Sequence, residues 1–95
     1  MYYRTTTYEF DPQEFDNMMA YVDQVKDQVN DIEGLNFAHV CIISKTSGVI
    51  IAQYESEQAM EKGQKYLWKL MGGIPQFFTS APVPVGAEVI WKSDS

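Results

Sequence analysis

Leu35-Asn36-Phe37-Ala38-His39-Val40-Cys41-Ile42-Ile43-Ser44 and Val49-Ile50-Ile51-Ala52-Gln53-Tyr54 are separated only by Lys45-Thr46-Ser47-Gly48. Two apolar runs joined by a short polar link that contains glycine predict a strand, a tight turn and a second strand. In both runs the apolar residues follow one another instead of alternating, so both faces of this hairpin are expected to be buried. A hairpin covered on both faces needs a layer above it and a layer below.

Towards the N-terminus, Phe15, Met18, Val22, Val25, Val29 and Ile32 recur at spacings of three and four, with Asp16, Asp23, Gln24, Asp27 and Gln28 between them. That is the pattern of a helix with one apolar stripe. Asp11 can cap it and Pro12 suits its first turn, while Gly34 can leave it with positive φ. Ahead of Asp11, the Thr- and aromatic-rich run Tyr2 to Phe10 predicts a strand.

Towards the C-terminus, Ser56 caps a second amphipathic stretch through Ala59, Met60, Gly63, Leu67, Leu70 and Met71, which Gly72-Gly73 and Ile74-Pro75 bring to a stop. A connection with Pro82 and Pro84 runs from Pro75 to Gly86, and Ala87 to Trp91 is expected to form the last strand. The chain therefore reads as one α+β domain over residues 1–95, a ferredoxin-like βαββαβ unit with a four-stranded antiparallel sheet.

Two helices cover one face of such a sheet and leave apolar side chains on the other. A contiguous apolar face of that kind usually marks an interface, and a two-fold axis is the simplest way to close it. The expected assembly is a homodimer whose two sheets pack as a dimeric α/β barrel. Size points the same way, since a chain of 95 residues hides only about 60 to 65% of its unfolded surface when it folds alone.

Composition narrows the function. Thirteen acidic residues against seven basic ones give a formal charge of -6, which repels phosphate backbones and argues against nucleic acid as a partner. Lys62, Lys65 and Lys69 read as a solvated helix face, as do Asp23, Asp27 and Asp31. No run is long and apolar enough for a membrane span and no secretion signal is visible, so a cytoplasmic protein without membrane contact is expected. Cys41, the one cysteine, rules out an internal disulfide and reads as a small apolar filler.

The order of elements, together with Tyr54-Glu55-Ser56-Glu57-Gln58-Ala59, resembles the dimeric α/β-barrel superfamily, especially its antibiotic-biosynthesis-monooxygenase-like members. In that superfamily the third strand often ends in an aromatic residue followed by an acidic or serine cap and a Glu-Ala helix start. The resemblance implies that Tyr54 stands where members often carry a pocket-facing tryptophan. Haem-degrading members place a histidine near the second helix and an asparagine on the first strand. Here Gly63-Gln64-Lys65 and Thr5-Thr6-Thr7 stand at those places, which speaks against haem.

His39, the one histidine, lies in mid-strand. If Ser44 and Val49 close a four-residue turn, His39 faces Tyr54 and Cys41 faces Ala52, all on one side of the sheet. An imidazole beside a phenol in an apolar cavity can act as general base on an acidic phenol or enol. The alternative is a core histidine tied by a hydrogen bond. A one-residue slip in register would turn the whole set to the other face. Tyr8, Arg4 and Trp91 could line the same cavity, or serve as packing.

Neither a phosphate-cradling glycine loop, a histidine pair for a metal nor a nucleophile with an evident base is present, so catalysis is expected to need no cofactor. Two functions remain open. The first is a monooxygenase-like or isomerase-like enzyme for a small hydrophobic or aromatic metabolite, and the second a dimer that binds a ligand or partner without changing it.

Overall fold

The computed structural model describes residues 1–95. Its elements are β1 (Tyr2–Glu9), a 3-10 turn (Pro12–Glu14), α1 (Phe15–Asn30), β2 (Leu35–Ile42), β3 (Ser47–Tyr54), α2 (Glu57–Leu70), a second 3-10 turn (Ile74–Phe77) and β4 (Val83–Glu88). All strand pairs are antiparallel, in the order β2-β3-β1-β4. This is the expected βαββαβ arrangement.

Ser56 caps α2 as expected, whereas Asp11 caps the 3-10 turn that leads into α1, whose own N-cap, Glu14, makes no side-chain bond. The Asp11 carboxylate accepts from the Gln13 amide at 2.9 Å and Ser56 Oγ accepts from the Ala59 amide at 3.1 Å, each relieving an amide that has no partner inside its helix. Gly34, at φ 81°, is the one residue with positive φ, and it turns the chain from α1 into β2.

Strand β3 alternates without a break: Gly48, Ile50, Ala52 and Tyr54 are buried, while Val49, Ile51 and Gln53 are half-buried. The first set faces the helices together with Tyr2, Arg4, Thr6 and Tyr8 of β1. On that side lies the core, which includes Tyr8, Phe10, Met18, Ile50, Tyr54, Leu67, Met71 and Ile74. The other face carries Tyr3, Thr5 and Thr7, Phe37, His39 and Cys41, Val49 and Ile51, and Val83, Val85 and Ala87. Val83 and Val85 remain 58% and 55% exposed, so this face, which also carries Gln53, is uncharged, largely apolar and uncovered within one chain.

Two expectations are corrected. The β2–β3 register pairs His39 with Ile51 and Cys41 with Val49, not with Tyr54 and Ala52. The turn comes earlier than expected: the Ile43 and Ser44 amides both donate to the Ser47 carbonyl, and the Ser44 and Ser47 hydroxyls meet at 2.7 Å. Gly48 is thus inside the strand, where the Cys41 carbonyl and the Tyr8 ring occupy the space of a Cβ. An odd shift in register exchanges the two faces of the sheet.

The last strand is Val83–Glu88, not Ala87 to Trp91. It pairs only with β1, so it is an edge strand, and an edge accommodates Pro84 without loss of a ladder bond. Trp91 lies beyond the strand and is 78% exposed.

Candidate functional site

The helix-side face of the sheet is not filled by the helices. A cleft of about 320 Å³ opens between α1 and α2, a volume in the range of small-molecule sites. Its floor is Arg4, Thr6, Ala38, Val40, Ile50 and Ala52; its walls are Met19, Val22, Val25 and Val29 from α1, Leu67 and Trp68 from α2, and Met71 and Ile74 beyond it. Asp23, Lys26 and Asn30 stand at the same opening and are solvent-exposed. The lining is thus apolar with a polar rim.

Tyr21 ties the helices together. Its hydroxyl donates to the Leu70 carbonyl and accepts from the Gly73 amide, both at 2.9 Å. These bonds satisfy groups at the end of α2 that the helix cannot pair itself.

Arg4 is the unusual residue. It is half-buried on the helix-side face, and its Nε is buried without a hydrogen-bond partner. Its guanidinium carbon is 6.0 Å from the centre of the Trp68 ring, close enough for cation–π attraction. Tyr54 is fully buried, and its hydroxyl also has no partner. Burial pushes that phenol above its ordinary pKa of 10.0, with the charge of Arg4 working against the rise. Tyr8 is raised as well, by burial and then by Cys41, and its hydroxyl donates to the Cys41 carbonyl at 3.0 Å.

The candidate residues therefore separate. Arg4 and Ala52 meet in the cleft. Tyr54 lies on the same side of the sheet, packed under α2 where a Cβ on Gly63 would come within 2.7 Å of its ring. His39 and Cys41 are on the opposite face, where the imidazole is exposed and stacks on Phe37 at 4.4 Å between ring centres. The sheet stands between His39 and Tyr54, so the two do not form a proton-transfer pair within one chain. Trp91 is in the exposed C-terminal tail.

Trp68 and the α1 rim were not singled out from the sequence as site residues. Trp68 follows Leu67 of the apolar stripe, and a bulky aromatic beside such a stripe is the one available signal. Another hollow, of about 380 Å³, touches Phe10, Pro12, Phe15, Ile42 and the charged Asp16 and Lys45, but brings no buried functional group together. No group of three or more His, Cys, Asp or Glu residues is placed to hold a metal ion, and no helix is long and apolar enough to cross a membrane.

No family profile and no curated protein matches the chain. Solved structures do. A protein of unknown function from Nitrosomonas europaea superposes with a TM-score of 0.79 at 11% identity, over 97% of this chain and 91% of that one. A structure described as an antibiotic biosynthesis monooxygenase gives 0.77 at 10% identity, over 95% and 99%. A dimeric ferredoxin-like protein from an uncultured marine organism gives 0.73 at 13% identity, over 96% and 95%. Identities this low carry the fold and not the activity: the chain has the ferredoxin-like fold of the antibiotic-biosynthesis-monooxygenase-like proteins.

Proposed function

We propose that the chain works as a homodimer of a monooxygenase-like enzyme that takes a small hydrophobic or aromatic metabolite into the cleft between α1 and α2 of each protomer, without a resident cofactor. The cleft is the observation that carries this reading. With a volume of about 320 Å³ and mostly apolar walls open to solvent, it leaves hydrophobic surface that a bound apolar molecule would cover. Apolar walls provide desolvation for a ring system, and the opening between the helices provides entry.

The uncovered sheet face supports the dimer. From Tyr3 to Thr7 on β1 and across the neighbouring strands, no Asp, Glu, Lys or Arg points outward; Glu9 lies at its end, held by the Ser80 hydroxyl at 3.1 Å. A second copy covers such a face with the same face of its own. His39 then belongs to the interface, away from the cleft.

Val25, half-buried on α1 and lining the cleft, is the place to test the reading. Val25→Trp should fill the cleft while leaving the helices and the dimer intact. Oxygen uptake with a panel of polycyclic phenols, followed alongside calorimetric binding, should be present in the wild type and lost in the variant. Binding and uptake that survive the substitution would remove the cleft from the function.

A further inference from the structure

An arginine on the inward face of a central strand is costly unless something neutralises it. The residues paired directly with Arg4 on the two adjoining strands are Ala52 and Gly86, and Arg4 makes no hydrogen bond to the diagonal neighbours Tyr54 and Glu88. Neither Ala52 nor Gly86 supplies a side-chain acceptor, and Nε is buried without a partner. The Trp68 indole at 6.0 Å favours a cation at this place but gives the buried Nε–H no acceptor.

The register extends this into a shape. Arg4 pairs across with Ala52, and Ala52 with Ala38, so one row of the sheet runs from a guanidinium over two methyl groups. Two strand spacings make that row about 10 Å long. The flanking rows are taller, with Tyr2, Tyr54 and Leu35 on one side and Thr6, Ile50 and Val40 on the other. A low apolar strip with a cation at one end lies along the floor of the cleft, half-buried at Ala38 and only 2% exposed at Ala52.

Resting on the small-molecule reading of this cleft, we infer that its ligand is a planar aromatic monoanion, lying along the Ala52–Ala38 strip with its carboxylate or phenolate oxygen on the Arg4 guanidinium. Small residues admit a flat ring and would leave a branched aliphatic body badly packed. Arg4 is the one cation on the floor of the cleft and calls for one negative charge there, while Lys26 and Asp23 face each other's charge at the exposed rim. Arg4 is then a specificity-determining residue, and its donors find in the ligand the acceptor that the chain does not provide.

Calorimetric titration with 2-naphthoate and with its neutral counterpart 2-naphthamide tests this. The wild type should prefer the carboxylate by roughly tenfold or more, the range of a charge-assisted hydrogen bond. Arg4→Gln should erase the preference, the carboxylate affinity falling to the level of the amide. Arg4→Lys should restore part of it, and Lys62→Gln, an exposed cation outside the cleft, should not alter it. Equal wild-type affinity for both ligands overturns the anion assignment and leaves the cleft reading standing, as does a preference that persists in Arg4→Gln. Failure of both ligands to bind overturns both.

Discussion

Replacing Tyr54 by phenylalanine separates a structural role from a chemical one. The ring is fully buried beneath α2, and its hydroxyl has no hydrogen-bond partner. A buried polar group left unpaired costs about 1 to 3 kcal/mol, so Tyr54→Phe keeps the packing and removes the penalty. The expected gain is about 1 kcal/mol, which for a domain of this size raises Tm by about 4 to 8 °C.

The same variant has a pH signature. Burial raises the phenol's pKa in the folded state, and the Arg4 charge only partly opposes this. The folded chain then holds a proton that the unfolded chain releases near pH 10. Stability is fully present below that pH and falls as pH rises towards the higher folded value. Tyr8, raised in the same direction, adds to the loss, so Tyr54→Phe should soften the alkaline decline without abolishing it. Thermal melts from pH 7 to pH 11 at one fixed protein concentration read both effects. A lower Tm at pH 7 in the variant would refute the reasoning, because it would mean that the hydroxyl is engaged in a net stabilising bond.

Gly48→Ala should lower stability by about 2 kcal/mol or more, because the new Cβ meets the Cys41 carbonyl and the Tyr8 ring; the urea midpoint gives the value. Tyr21→Phe removes the bonds to Leu70 and Gly73, at about 1 to 2 kcal/mol, and hydrogen exchange at the Gly73 amide should speed up. Ile51→Asp places a carboxylate in the middle of the uncovered sheet face. An unpaired charge at a packed interface costs about 3 kcal/mol or more, so sedimentation should find a monomer that still binds aromatic ligand in the cleft. A persistent dimer would refute the sheet-to-sheet assembly.

Much of the architecture was legible in the residues because local physics governs it. The three-and-four spacing from Phe15 to Ile32, the caps Asp11 and Ser56, and the stop at Gly34 act within a few residues of themselves, and each element they predicted is present. The end of the last strand was harder to read. Whether Pro84 can sit in a strand depends on that strand having a neighbour on one side only, a property of the whole sheet.

The site was divided in the same way. Arg4 and Ala52 were among the candidates and do share the cleft, since alternation along β1 and β3 and their pairing bring them together. His39 and Tyr54 do not meet, because the serine-closed turn at Ser44–Ser47 shifts the hairpin by an odd number of positions. The sequence by itself determined which residues are apolar, which stretches form helices, and that a hairpin joins the second strand to the third. Only the tertiary structure decided which face each strand residue occupies, since side-chain direction has a period of two and any odd slip reverses it; and only the packing of α1 and α2 on the sheet left the cleft above Arg4 open.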